Sequence, residues 1–223
     1  MIELLKKKLI VSCQAWPGTP FYGDPRLIRA MAESAYIGGA GGIRANGVDD
    51  IQEIKKNVPL PIIGIYKLPD KRGKTVITPD FESAQKIADA GSDIIAIDAS
   101  IEARPDIEEL QQFIYKIKTE LRMPVMADIS DLDEAIRAEA SGVDIVATTM
   151  AGYTPYSKKT DGPDLDLLES IVKKVKIPVI GEGRFSKPEE VNEAINVRRA
   201  HSVVIGTSIT APWEITNRFV RAI

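Results

Sequence analysis

The stretch Pro61–Asp70, PIIGIYKLPD, decides how this chain is read. Pro61 to Tyr66 is mostly apolar and β-branched, as in a short strand buried on both faces. The run stops at Lys67, and Leu68-Pro69-Asp70 then turns the chain toward solvent. A lysine at the mouth of a buried parallel strand loses hydration. Desolvation disfavours its charged form and lowers its pKa, which is how a lysine becomes a base near neutral pH. A strand-end lysine can also simply extend into water, so the rest of the chain has to decide.

Working outward, the same strand-then-helix unit recurs. Toward the N-terminus, Leu9–Ser12 is a strand and Asp24-Pro25 opens a helix running to Ile37. Gly38–Gly42 breaks it; Ile43–Asn46 is a second strand and Val48–Lys56 a second helix. Beyond the opening stretch come a charged loop, Lys71–Ile77, and a helix begun by Thr78-Pro79-Asp80 and ended at Gly91. Strand Asp93–Ile97 is closed by Asp98, and strand Pro124–Ala127 by Asp128; helices Pro105–Leu121 and Asp131–Ser141 follow them. Strand Val143–Thr148 leads into a Gly-, Pro- and Tyr-rich loop from Thr149 to Pro163, then helix Asp164–Val175. Strand Pro178–Gly181 is closed by Glu182-Gly183, and helix Lys187–Asn196 takes Ser186 as its N-cap. Strand Ser202–Gly206 and helix Trp213–Ile223 end the chain.

Short apolar runs without period-two alternation are parallel strands buried on both faces. Eight such units predict an α/β fold, a (β/α)8 TIM barrel formed as a single domain over residues 1–223. An open doubly wound sheet would want its Gly-rich turn after an early strand; GGAGG at Gly38–Gly42 precedes one.

Composition narrows the function classes. The 223 residues are 44% apolar and 27% charged, with a net charge of −3 and both signs interspersed, so no nucleic-acid-binding surface is expected. No run approaches a membrane span and no leader pattern is evident, while the single cysteine, Cys13, fits a reducing compartment; the expectation is a cytoplasmic protein. With one histidine, His201, and one cysteine, a zinc site is not expected.

In such a barrel the chemistry gathers at the C-terminal strand ends. Those positions carry Cys13 and Gln14, Arg44 and Asn46, Lys67, Asp98, Asp128, Thr148 and Thr149, Glu182 and Arg184, and Gly206 with Thr207. One base, one arginine and three carboxylates at a single mouth suggest proton transfer. Arg44 is either a partner for the carboxylates or a clamp on substrate oxygens; Asp128 and Asp98 are either site residues or helix caps. Gly181-Glu182-Gly183-Arg184 and Gly206-Thr207-Ser208 fall at the last two strand ends, where barrels often bind phosphate through backbone N–H groups. His201 opens the eighth strand at the bottom and reads as structural; Cys13 reads as packing or lining.

The motifs SCQA at Ser12–Ala15, GGIRANG at Gly41–Gly47, PIIGIYK at Pro61–Lys67 and ITPD at Ile77–Asp80 now line up with IDAS at Ile97–Ser100, MADIS at Met126–Ser130, ATTMAGYT at Ala147–Thr154 and GEGR at Gly181–Arg184. Together they resemble the N-acylglucosamine-6-phosphate 2-epimerases of bacterial sialic acid catabolism, over nearly the whole chain. The resemblance implies interconversion of N-acetylmannosamine 6-phosphate and N-acetylglucosamine 6-phosphate by proton abstraction and return at carbon 2. It matches Lys67 and Glu182 to the catalytic pair, Gln14, Arg44 and Asp128 to residues that hold the sugar, and Gly183 and Gly206 to backbone that grips the phosphate. Arg184 and Thr207 lie beside those glycines. It also implies a homodimer, and no metal or organic cofactor, since only a proton moves. One departure stands out: the family usually reads Ile-Thr-Arg-Pro where this chain has Ile209-Thr210-Ala211-Pro212, and Ala211 supplies no charge. Either phosphate affinity is lower, or Arg184 or a partner chain compensates. Rival expectations are a ribulose-phosphate 3-epimerase, which commonly uses a metal and histidines, a thiamine-phosphate-synthase-like barrel with a diphosphate–magnesium site, and a non-catalytic sugar-phosphate binder.

Overall fold

The computed structural model describes residues 1–71 and 73–223. In chain order the elements are β1 (Leu9–Cys13), α1 (Pro25–Ile37), β2 (Gly42–Asn46), α2 (Val48–Asn57), β3 (Ile62–Ile65), β4 (Lys67–Pro69), β5 (Thr75–Ile77), α3 (Phe81–Asp89), β6 (Ile94–Asp98), α4 (Ile107–Lys116), β7 (Val125–Asp128), α5 (Leu132–Ala140), β8 (Ile145–Ala147), α6 (Leu165–Lys174), β9 (Val179–Glu182), α7 (Pro188–Asn192), β10 (Ser202–Ile205), α8 (Thr207–Thr210) and α9 (Pro212–Val220). Parallel strands close into a barrel in the order β1-β10-β9-β8-β7-β6-β3-β2. The expected (β/α)8 architecture is therefore present.

Helix starts follow from short polar side chains. Asp24, Asp80, Asp106, Asp131 and Asp164 each accept a hydrogen bond from a backbone N–H in the first turn of the helix they precede. The last long connection behaves differently: the Glu190 carboxylate reaches back to the N–H groups of Ser186 (2.7 Å) and Lys187 (3.1 Å). This puts the N-cap at Lys187 rather than at Ser186.

Three other expectations change. The charged loop over 71–77, whose Arg72 lies outside the described residues, is partly a strand. β4 and β5 form an antiparallel hairpin with Lys67 opposite Ile77, tied at its tip by Asp70 N–H to the Lys74 carbonyl (2.7 Å). Val143 lies before β8, and Thr148–Met150 folds as a 3-10 turn instead of prolonging the strand. The final helix begins at Pro212 and is preceded by the short α8, a separate turn at the end of β10.

Alternation along the strands creates two cores. Val11, Cys13, Ile43, Ala45, Ile95, Ile97, Val125, Ala127, Val179 and Val203 pack outward in the layer shared with the helices. Ile10, Ile63, Ile65, Ile94, Ala96, Met126, Ile145, Ala147, Ile180 and Val204 fill the interior together with Leu5. Leu5 belongs to a 3-10 turn, Ile2–Leu5, that plugs the bottom of the barrel.

Candidate active site

The same alternation sets the mouth. On β1, with Ile10 inside and Val11 and Cys13 outside, Ser12 falls on the inner face, and Gln14 continues the series. The rule also turns Arg44, Asp98, Asp128 and Glu182 inward, above the apolar layers. Cys13 sits on the helix side, fully buried, and burial pushes its thiol up to about 12. Its role is packing.

Arg44 is the floor of the mouth. Its side chain is 1% exposed and that of Asp128 is 0% exposed. Arg44 Nη2 donates to Asp128 Oδ2 at 2.6 Å, while Nη1 donates to Asp128 Oδ1 at 3.0 Å and to Glu182 Oε2 at 2.8 Å. Burial works against the charge on Arg44, but Asp128 and Glu182 together hold its pKa above the ordinary value. Asp128 thus spends its oxygens on Arg44; the cap of the next helix is Asp131. Asp98, opposite Asp128 in register, accepts from the Ser100 N–H and hydroxyl, and burial pushes it up to about 6.

Glu182 is held from several sides. The Thr148 hydroxyl bonds both its carbonyl (2.8 Å) and its N–H (3.0 Å), fixing the strand end. Thr149 Oγ1 lies 3.1 Å from Glu182 Oε2 and 2.5 Å from Asp128 Oδ1. One hydroxyl proton cannot serve two carboxylates; both contacts are satisfied when Thr149 donates to Asp128 and accepts from a protonated Glu182. The pKa of Glu182 is raised, first by burial and further by the charge of Asp128, against the opposing pull of Arg44, the Thr149 hydroxyl and Lys67.

Lys67 enters from β4, at the base of the hairpin where the chain leaves the barrel strand β3. Its N–H donates to Asn46 Oδ1 (2.9 Å), and its Nζ donates to Gln14 Oε1 (2.7 Å). Gln14 Nε2 in turn donates to Ser12 Oγ at 2.5 Å. Lys67 as a residue is exposed, yet its ammonium is tied to Gln14 and has protein packed around it. Burial, and then the nearby Arg44 cation, lower its pKa; Glu182 and Asp128 oppose the shift.

Lys67 and Glu182 face one cavity of about 900 Å³. Gln14, Gly183, Arg184, Gly206 and Thr207 line the same space, so these expected site residues are brought together. Arg44 and Asp128 are not; they lie beneath the wall and reach the cavity through Glu182. Gly183, at φ +116°, takes a backbone form that disfavours any side chain, and the conformation presents the β9 end to the cavity. Ala211 is buried and supplies no group to the wall. His201 is at the opposite end, its Nε2 3.0 Å from the Ile2 carbonyl oxygen. Sequence reasoning placed Thr149 at the mouth without a role and passed over Trp16, Lys74 and Arg218, which also line the cavity. Among the described residues, no group of three or more His, Cys, Asp or Glu side chains is placed to hold a metal, and no helix is long and apolar enough to cross a membrane.

Comparison with known proteins agrees along the whole chain. Residues 28–223 match the family described as "Putative N-acetylmannosamine-6-phosphate epimerase". The chain is 45% identical over 221 residues to a Caldanaerobacter subterraneus protein named "Putative N-acetylmannosamine-6-phosphate 2-epimerase", covering 99% of this chain and 92% of the relative. A Clostridioides difficile protein of the same name is also 45% identical, over 100% of this chain and 99% of its own. The solved N-acetylmannosamine-6-phosphate 2-epimerase from Clostridium perfringens superposes with a TM-score of 0.92 at 40% identity, covering 100% of this chain and 96% of that one. A geranylgeranylglyceryl phosphate synthase structure from Thermoplasma acidophilum, at 18% identity and a TM-score of 0.57, shares the fold alone.

Proposed function

The chain belongs to the N-acetylmannosamine-6-phosphate epimerase family, and we propose that its Lys67 and Glu182 are the pair that moves the proton at carbon 2. The protein is an isomerase that interconverts N-acetylmannosamine 6-phosphate and N-acetylglucosamine 6-phosphate, a reaction of amino sugar and sialic acid catabolism. The observation that carries the assignment of roles is that an amine of lowered pKa and a carboxyl of raised pKa share one cavity.

Carbon 2 of the open-chain sugar is acidic because the adjacent aldehyde accepts the electrons of the breaking C–H bond. Removing that proton leaves an enolate, and returning it on the other face inverts the centre. The base has to be neutral when it acts, which burial and Arg44 favour at Lys67. Gln14 orients the amine while accepting one of its N–H groups. The acid has to carry a proton, which burial favours at Glu182, and the Thr149–Asp128 pair gives that proton a defined direction. Arg44 and Asp128 position Glu182, Gln14 also holds the sugar, and Gly183, Arg184, Gly206 and Thr207 grip the phosphate. The step moves a proton and no net electrons, so it calls for no redox cofactor.

Incubation of the wild-type chain with N-acetylmannosamine 6-phosphate in deuterium oxide, followed by NMR, should give N-acetylglucosamine 6-phosphate carrying deuterium at carbon 2. Absence of both interconversion and exchange would leave a non-catalytic sugar-phosphate binder. Borohydride reduction in the presence of substrate should trap no adduct on Lys67; a trapped adduct would assign Lys67 to a Schiff base instead.

Two finer assignments belong with this reading. We place the protein in the cytoplasm on the basis of its single buried cysteine; cell fractionation tests this. A homodimer is supported by the apolar side chains of Phe219, Val220 and Ile223, which stand exposed at the end of the chain. Light scattering giving a monomer mass would contradict the homodimer.

A further inference from the structure

The wall of the main cavity carries both signs of charge. Lys67, Lys74, Arg184 and Arg218 line it, and so do Asp161, Glu182 and Glu214. A diffuse positive field therefore does not explain how a doubly charged phosphate would be held; directed donors have to do it. Most of the cations are already committed. Lys67 donates to Gln14, and Lys74 pairs with Glu102. Arg184 donates from Nη1 to the Ala151 carbonyl (2.9 Å) and lies 4.9 Å from the centroid of the Tyr153 ring. That guanidinium rests in the space left by the missing side chain of Gly152, where a Cβ would come within 2.1 Å of its Nη2.

Arg218 is different. Among the described residues its side chain has no hydrogen-bond or ion-pair partner, although Glu214 lies one turn earlier on the same helix and lines the same cavity. Its helix, α9, is the one that follows β10 and α8. β10 is the barrel neighbour of β9, with Val204 opposite Glu182, so the ends carrying Gly183-Arg184 and Gly206-Thr207-Ser208 adjoin. An arginine delivered from α9 thus shares a wall with both of those loops. A guanidinium presents a planar fork that meets a phosphate through two parallel N–H groups, which a lysine does not.

We propose that Arg218 is a phosphate-binding residue of this enzyme, closing on the substrate's 6-phosphate from α9 while Arg184 and the backbone of the β9 and β10 ends face it from the other side. The assignment rests on the functional reading above. It makes α9 part of the active site and makes Arg218 a determinant of the preference for phosphorylated over free amino sugar. The other cations on the wall are held by contacts of their own; Arg218, exposed and unpartnered among the described residues, is the cation that can swing onto the anion.

The test uses the full chain with Arg218→Ala and Arg218→Lys. Loss of one charge-assisted contact should raise the KM for N-acetylmannosamine 6-phosphate by roughly ten- to hundredfold. The inhibition constant of inorganic phosphate should rise by a similar factor, and kcat should change far less than KM. Arg218→Lys should recover part of the loss. If KM and the phosphate inhibition constant of Arg218→Ala both stay within about twofold of wild type, the proposal is overturned. If the wild-type chain fails to turn over the sugar, the functional reading is what fails, and calorimetric titration of inorganic phosphate into wild type and Arg218→Ala still decides Arg218: equal affinities overturn the role, weaker binding to the variant supports it.

Discussion

The bottom and the mouth of this barrel are made by the same strands, and they are built on opposite principles. At the bottom, Leu5 closes the cylinder against Ile10, Ile94, Ile145 and their neighbours, and the buried charged side chains among the described residues, Arg44, Asp98, Asp128 and Glu134, lie elsewhere. Backbone groups there pair in simple ways, such as the Lys7 N–H to the His201 carbonyl at 2.6 Å, while the buried hydroxyls of Ser92 and Ser202 have no partner among the described residues. At the mouth, two carboxylates share one buried guanidinium, and a lysine stands close enough to feel all three charges. Burying charges is costly, and replacing an ion pair by packed apolar side chains is often neutral or stabilising. The mouth therefore concentrates unfavourable electrostatics that the bottom avoids. A chain that needs only to fold gains little from that arrangement; one that has to hold an amine neutral and a carboxyl protonated needs it.

That contrast can be broken at either end. The largest expected effect is at Lys67. Lys67→Met should reduce kcat/KM by about a thousandfold or more, the upper part of the range for a lost general base, while the melting temperature stays close to wild type. A large loss of stability with residual activity would put Lys67 on the structural side.

Glu182→Gln should remove roughly a hundredfold or more of the interconversion rate. It should also change the pH profile. The base works once deprotonated, so the rate rises with pH through the lowered pKa of Lys67. The acid works while protonated, so the rate falls as pH passes the raised pKa of Glu182. Wild type should therefore be bell-shaped in kcat/KM, and the glutamine variant should lose one of the two limbs.

Leu5→Ala tests the other end. It should cost about 3 kcal/mol of stability in denaturant titration, as for a fully buried leucine, with activity per folded molecule retained. Loss of catalysis in excess of unfolding would mean that the two ends are coupled. Smaller still, Thr149→Val removes the hydroxyl between the carboxylates. It should lower kcat by roughly tenfold, the worth of a single hydrogen bond, and it should move the Glu182 limb of the profile without affecting the Lys67 limb.

The eight-unit fold was legible because each buried parallel strand is an apolar run ended by a polar residue, as in Ile94–Asp98 and Val125–Asp128. Inward and outward directions were not legible, because the lower layers are apolar on both faces; hence the open question over Cys13, which the alternation settles as helix-side packing. The β4–β5 hairpin was hidden because a three-residue strand written Lys-Leu-Pro has no apolar signature. Asp128 could be read as a cap, since its attachment to Arg44 joins residues 84 positions apart. Thr149 and Arg218 gave no signal of their own type: a threonine between two carboxylates, and an arginine on a surface helix, acquire meaning only when β9, β10 and α9 are brought to one wall.

The central claim is that Lys67 and Glu182 act on one carbon–hydrogen bond in sequence. The direct measurement is NMR of carbon-2 deuterium wash-in, started separately from each epimer, with Glu182→Gln and Lys67→Met. The account predicts that both variants nearly stop interconversion, that Glu182→Gln still exchanges deuterium into the epimer whose carbon-2 hydrogen faces Lys67, and that Lys67→Met loses exchange into that epimer and keeps at most exchange into the other. Full exchange by the folded Lys67→Met variant would contradict it.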